Sequence, residues 1–261
     1  MRIKRLFVAE RRKKPSLSIV LLNLLLVCGI IFVVFWLSLT AINVSFDFSF
    51  VASFKARLWD GFVMTVLLSL ASLLLSLVIG VLSAAGQGSR VLIIRYFCSI
   101  YVKFIRGTPL IMQIYLFFYI VGTAWGIENR FVAGTIILSM FEGAYISEII
   151  RGSLLSIEDS QLEAARSVGF TQNQTLRLVV LPQLVARTLP ALTGQFASII
   201  KDSSLLSMIA VIELTQTIRE ISASNFKMFE CYIFLGVLYL CLTLPISFVS
   251  KRLERIYNYE N

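Results

Sequence analysis

The chain has 261 residues, 57% of them hydrophobic and 15% charged, with a net charge of +9 and no histidine. Against the roughly 45–50% apolar share of an average soluble domain this marks a polytopic, all-α integral membrane protein, and the missing histidine excludes histidine proton relays, histidine metal sites and a Ser-His-Asp triad. Four scattered cysteines, Cys28, Cys98, Cys231 and Cys241, include no C-x-x-C pair and suggest neither a disulfide framework nor a zinc site, so no metal is expected.

In chain order, the first sixteen residues carry seven Lys or Arg against one Glu, and an apolar run from Leu17 to about Ile42 follows. That run outlasts the apolar region of a signal peptide, about 7 to 15 residues, and no small-residue cleavage site ends it, so a retained membrane helix is expected. Asn43 to Leu58 is a mixed connection. Trp59 to about Ala85 is a second span, ending in the turn Gly86-Gln87-Gly88-Ser89 with Arg90 and Arg95 beyond it. Val91 to Val121 is too long for one straight helix across a core about 30 Å thick. Gly107 and Pro109 are expected to break it, because proline removes a helix hydrogen bond and crowds the preceding turn.

Gly122 to Arg130 connects to a span from Phe131 to about Ile150. A polar island, Ser160 to Pro182, comes next. Ser160 with Glu163 has the S-x-x-E spacing of a capping box, and Thr171 with Gln174 repeats it as T-x-x-Q. Gly169 between them suits the left-handed turn that ends a helix, and Pro182 is expected to stop the second helix. Two short helices joined at a glycine are therefore predicted. The small side chains of Ala164 and Ala165 leave room for a partner protein to approach. Leu184 to about Val211 spans again, interrupted by Pro190 and Gly194, and Met228 to about Ser250 is the last span, followed by Lys251, Arg252 and Arg255.

Six spans with both termini inside place sixteen of the 24 basic residues on the cytoplasmic side and five, Lys55, Arg57, Arg130, Arg219 and Lys227, on the other. This asymmetry sets the orientation of the chain, puts the island in the cytoplasm and accounts for the positive charge without a nucleic acid partner. The lipid bilayer is the expected surrounding.

Charges inside membrane segments cost about 2.5–3.5 kcal/mol each on insertion scales and tend to face a bundle interior or water. Lys103, Arg106, Glu142, Glu148, Lys201 and Asp202 are of this kind. Lys103 and Arg106 lie one turn apart before the break, where they could hold the carbonyls it frees. Glu148 and Arg151 have the spacing of a local ion pair. Glu142 has no opposite charge within a turn, so it either pairs across helices or meets a substrate cation. Lys201 and Asp202 are adjacent and point apart, a polar step into Ser203 and Ser204 on the plainer reading. The phosphate-binding pattern G-x-x-x-x-G-K-[ST] does not occur, so nucleotide hydrolysis by that route would belong to another subunit.

Glu163-Ala164-Ala165, then Gly169, then Leu181-Pro182, resemble the EAA loop of ABC importer permeases, whose short cytoplasmic helices dock into a groove on the ATPase. Arg106-Gly107-Thr108-Pro109-Leu110 with Gln113, Ala144-Tyr145 with Glu148 and Arg151-Gly152, Gln161, Leu181-Pro182-Gln183 and Lys201-Asp202-Ser203-Ser204-Leu205 are similar to the polar amino acid uptake subfamily. The likeness covers about residues 58–251. Ser160 stands where the subfamily usually has glycine, and residues 1 to about 42 look like an addition to its five-helix unit. The division expected is a basic tail, extra helix and connection (residues 1–57), a type I permease domain (58–251) with coupling helices at about 158–182, and a cytoplasmic tail (252–261).

The resemblance implies a multi-pass subunit of the bacterial inner membrane with no cofactor of its own, ATP and magnesium being held by two ATPase subunits. It also implies a second permease, like or unlike, and an extracytoplasmic binding protein that delivers an amino acid. Coupling would fall to Gln161, Glu163, Ala164, Ala165, Gly169 and Phe170. Arg106, Gln113, Glu142, Tyr145, Lys201 and Asp202 are candidates for the substrate path, with broken helices near Pro109 and Pro190 lining it. An ion-coupled carrier using Glu142 or Asp202, and a membrane scaffold without transport, are the alternatives; the absence of a long internal repeat counts against the carrier.

Overall fold

The computed structural model describes residues 16–41 and 46–257. Most of the expected basic tail and the last four residues lie outside them. The chain divides into two units, residues 1–47 and 48–261.

The first unit holds α1 (Leu17–Ala41), apolar on every face and with no buried residue. Its few polar side chains turn back on their own helix, as in Ser38 Oγ to the Val34 carbonyl (2.8 Å) and Thr40 Oγ1 to the Trp36 carbonyl (3.0 Å). A helix of 25 residues that leaves no polar group seeking a partner meets the length and the chemistry of a bilayer span.

In the second unit, α2 (Phe50–Ser53) leads into α3 (Lys55–Gln87), then α4 (Leu92–Gly107), α5 (Leu110–Tyr115) with a π-helical continuation Leu116–Gly122, and α6 (Arg130–Leu155). Next come α7 (Asp159–Ser167), α8 (Gln172–Thr175) with a π-helical turn Leu176–Val180, α9 (Leu181–Asp202) with a 3-10 turn Ser203–Ile209, α10 (Leu214–Asn225) and α11 (Met228–Tyr257). Five helices are long and apolar enough to cross a membrane, or six if the bent pair α4 and α5 counts as one. The six-span expectation therefore stands as an approximate count. No strand occurs among the described residues.

The unit is built around the pairing of α3 with α6. One face of α3 is a stripe of small residues, Thr65, Ser69, Ser72, Ser76, Gly80 and Ser83, all buried. In lipid no hydrophobic drive pulls helices together, so close van der Waals packing across such stripes holds them. At Gly80 an added Cβ would fall 2.5 Å from Ile146 Cγ2, and at Gly143 on α6 it would fall 2.7 Å from Ile79 Cγ2. Ser139 Oγ ties the pair further by donating to the Ser72 carbonyl at 3.2 Å. Around this pairing Leu68, Val102, Ile105, Ile114, Leu138, Ile199 and Leu206 form the main core.

The expected break is present as a bend of 115° between α4 and α5. Thr108 is extended, as the residue before a proline tends to be, and Pro109 starts the new helix. Lys103 and Arg106 do not hold the freed carbonyls, contrary to expectation. Gln113 does: its Nε2 donates to the Ile105 carbonyl (2.7 Å) and to Thr108 Oγ1 (2.7 Å). The reason is reach: Gln113, 1% exposed, lies one turn into α5 and looks straight back at the open end of α4.

Two further expectations at prolines are corrected. Pro182 does not stop the second island helix; it occupies the first turn of α9, where a missing N–H is tolerated, and the π-helical turn before it relieves the crowding. Pro190 and Gly194 do not interrupt α9, which runs unbroken to Asp202.

Helix α10 went unread in the sequence. It lays Leu214, Ile218 and Ile221 against Phe50, Leu58, Cys231 and Leu235 in a second core cluster. Glu213, fully buried, caps it by accepting from the Thr215 N–H (2.7 Å) and Gln216 N–H (2.8 Å), and the Tyr239 hydroxyl donates to it at 3.0 Å. Burial pushes the Glu213 carboxyl up from 4.5 to about 7, outweighing those bonds. Between these values the folded chain keeps a proton that the unfolded chain has released, so folding stability should fall as pH rises from 4.5 to 7 and level off above. Thermal unfolding in detergent across that range should show the decline, and Glu213→Gln should flatten it.

Candidate functional site

The island folds into α7 and α8 around Gly169. Helix α7 ends in a Schellman turn: the Phe170 N–H donates to the Ala165 carbonyl (3.0 Å) and the Gly169 N–H to the Arg166 carbonyl (3.0 Å). Gly169 has φ +84°, and open space surrounds the position its Cβ would take. The capping box at Thr171 forms as expected, Gln174 Oε1 accepting from the Thr171 N–H at 2.8 Å while Thr171 Oγ1 accepts from the Gln174 N–H at 3.3 Å. The box expected at Ser160 and Glu163 does not. The helix starts two residues early, at Asp159, with Glu158 in place of Ser160 as its cap residue, so Ser160 sits inside the first turn and its hydroxyl donates to Glu158 Oε2 at 3.0 Å.

Glu163, Ala164 and Gly169 are exposed, Phe170 is half-buried, and Ala165 is buried beneath the turn. Leu176, Leu178 and Leu181 extend an exposed apolar margin beyond it. Gln161 is held from α9, where Gln183 Nε2 donates to its Oε1 at 2.5 Å.

The candidate path residues separate into three places. Arg106, at the end of α4, pairs with Glu148 on α6 at 3.1 Å and lies over the Tyr145 ring, 5.4 Å from its centre. Glu148 also takes both prongs of the Arg151 guanidinium at 2.8 Å, so the expected local pair is one arm of a three-residue network. Gln87, Lys103, Arg106, Glu148 and Arg151 line a cleft of about 570 Å³, in which three cations face one carboxylate.

Deeper on α6, Glu142 is fully buried and bonds across helices to the Gln195 amide of α9, with the Asp202 carboxyl beside it. The Glu142 and Asp202 carboxyls interact with one another across the helices. Lys201 is exposed and, as its adjacency to Asp202 requires, points elsewhere, into a cleft of about 340 Å³ with Ser204, Thr215, Tyr232 and Tyr239. Gln113 belongs to none of these, being committed to the α4 and α5 break. Gln195 went unread because a single amide in an apolar helix carries no spacing signal, and Gln87, expected only as part of a turn, ends α3 and reaches the cleft. No group of His, Cys, Asp or Glu suited to a metal ion occurs among the described residues.

A family model described as binding-protein-dependent transport system inner membrane component matches residues 76–258. The chain belongs to that family. Among the inner membrane component's relatives, the probable glutamine ABC transporter permease protein GlnM of Bacillus subtilis is 36% identical over 202 residues, 76% of this chain and 94% of its own. The glutamine transport system permease protein GlnP of Escherichia coli K12 is 35% identical over 80% of this chain and 97% of its own. The L-cystine transport system permease protein TcyB of Bacillus subtilis is 36% identical over 78% and 87%.

A crystal structure of an amino acid ABC transporter with histidines superposes with a TM-score of 0.76 at 31% identity, over 81% of this chain and 99% of that one. The MetNI methionine ABC transporter shares the fold, with a TM-score of 0.62 at 19% identity. The inner membrane component is thus an all-helical, multi-pass permease of the ABC importer type, as the EAA-like residues implied.

Proposed function

We propose that this inner membrane component is the path-forming subunit of an ATP-driven amino acid importer, moved by a separate ATPase that grips the Ser160 to Pro182 island. The observation that carries the reading is the exposed α7-Gly169-α8 turn, a polar projection between two membrane helices with the small Ala164 and Gly169 at its surface. Gln161, Glu163, Ala164, Ala165, Gly169 and Phe170 form the docking element. ATP and magnesium reside on two partner ATPase subunits. A second permease completes the path, and an extracytoplasmic binding protein delivers the amino acid. Both termini face the cytoplasm of the bacterial cell, consistent with sixteen of 24 basic residues falling on that side.

In this reading the partner's closure swings the island and rocks α6 and α9 against α4, so that the path opens alternately to each side. The broken helix at Pro109 supplies irregular backbone of the kind tolerated in a membrane where protein or a wet cavity satisfies it. Glu142 with Asp202, and Arg106 with Tyr145, are the polar groups available to a zwitterionic substrate. Glu142 favours a cationic or broadly polar amino acid, since no cationic side chain among the described residues pairs with it.

Proteoliposomes containing the permease, its ATPase and its binding protein should import amino acid only when ATP is inside. Uptake that persists without the ATPase and collapses with an ion gradient would overturn the proposal. Glu142→Gln should lower arginine flux relative to glutamine by about tenfold, the scale of one lost charged hydrogen bond of roughly 1.5 kcal/mol. An unchanged ratio would remove Glu142 from the path.

A further inference from the structure

Helix α7 is poorly anchored for an element asked to move membrane helices. Ala165 is the single buried residue in it, and it leaves α6 through Ser156-Ile157-Glu158, where only Ile157 is buried and Glu158 is extended. A backbone link of that kind can hinge. A push on α7 reaches the spans only if something stiffens the joint.

We infer that Gln183 and Arg187, on the first turns of α9, are a latch that makes the end of α6, the coupling helix α7 and the start of α9 a single moving body. The inference rests on the coupling reading proposed above and names the residues that carry it. Arg187 Nη1 donates to both the carbonyl and the hydroxyl of Ser156, the residue that closes α6. Its Nη2 reaches Gln183 Oε1 at 3.5 Å. Gln183 Nε2 in turn donates to Gln161 Oε1 on α7 at 2.5 Å and to the Val179 carbonyl at 3.1 Å. Gln183 and Arg187 stand four residues apart and so share one face of α9.

Two features set this relay apart from incidental surface bonding. First, Arg187 pairs with no carboxylate among the described residues, and every group it touches is neutral. Its planar fork serves geometry, gripping two places at once, which a point charge on a flexible stem does poorly. Second, Gln183 also covers Val179 in the π-helical turn beside Pro182, so the side chain that holds α7 seals the joint through which the island enters α9. The two junctions of the island, α6 to α7 and π-turn to α9, are therefore fastened by the same pair of residues.

The test uses the assembled complex in proteoliposomes, reading ATP hydrolysed per amino acid imported beside co-purification of the ATPase. Gln183→Leu with Arg187→Ala should leave co-purification and basal hydrolysis within about twofold while ATP spent per substrate rises at least about tenfold, within the usual range of coupling energies. Arg187→Lys, which keeps the charge on a single nitrogen and loses the fork, should fall between, and keeps the test open if the double variant does not fold. Gln183→Glu, whose carboxylate can accept from the Gln161 amide turned about and pair with Arg187, keeps the tie and should hold the ratio near that of the parent. An unchanged ratio in the double variant would overturn the latch and leave docking intact. Loss of ATPase co-purification in the variants would also overturn it, because the residues would then merely shape the docking surface. If the unaltered permease fails to retain an ATPase, it is the coupling reading that falls.

Discussion

Gly169→Val is expected to cut ATP-driven uptake by more than about tenfold while the chain still inserts and folds, because a β-branched residue at φ +84° is held against roughly 1–3 kcal/mol of backbone strain. Open space around the missing Cβ means that sterics with neighbours contribute nothing; the whole effect is conformational. The turn has two escape routes. It can give up the Phe170 to Ala165 bond, unwinding the end of α7, or it can swing α8 to a new angle; either spoils the surface offered to a partner. Gly169→Asn separates strain from bulk, since asparagine enters the left-handed region far more readily, and should keep most of the uptake. Uptake and ATPase stimulation measured for both variants decide it. Equal, normal activity in valine and asparagine forms would show that the turn geometry is immaterial.

Gly143→Leu should do more damage, and of another kind. Its Cβ alone would sit 2.7 Å from Ile79 Cγ2 and 3.3 Å from the Tyr101 hydroxyl, and Ile79 is β-branched with little freedom to turn aside. Overpacking of about 1–3 kcal/mol in the helix pair at the centre of the unit translates to a melting temperature lower by roughly 2–12 °C for a chain of this size, with a matching loss of folded yield. Gly152 on the same helix has nothing within 4 Å of its added Cβ, so Gly152→Leu is the control and should melt within about 2 °C of the parent, as surface changes generally do. Were both variants equally stable, the small-residue contact between α3 and α6 would not be what holds the unit together.

The two predictions sit at opposite ends of what could be read without coordinates. Gly169 announces itself: a glycine after an E-A-A triplet and before a T-x-x-Q box has one obvious use, and the Schellman turn is where it was expected. Gly143 does not, because close approach is a property of two helices, and nothing in one of them names its partner. The same division runs through the polar residues. Glu148 and Arg151 could be paired by counting three along a helix; the Arg106 that completes their network comes from beyond a 115° bend. The Ser160 box failed for a local reason, a helix that starts two residues earlier than the spacing suggests. Helix α10 shows a signal that was available, Leu214, Thr217, Ile218 and Ile221 at helical spacing after an acidic cap, in the stretch between the last two expected spans.

What the amino-acid order determined by itself is everything set by local or one-dimensional physics. Apolar runs of span length, a chain break at Gly107 and Pro109, turn chemistry at Gly169 and the distribution of lysine and arginine are each decided within a few residues or by a count along the chain. Only the tertiary structure decided which polar side chains meet. Glu142 with Gln195, Gln113 with the open end of α4, and Arg187 with Ser156 join residues separated by 53, 8 and 31 positions. Those partnerships depend on how helices are angled and how closely glycine and serine let them approach, and that is settled by packing across the whole bundle.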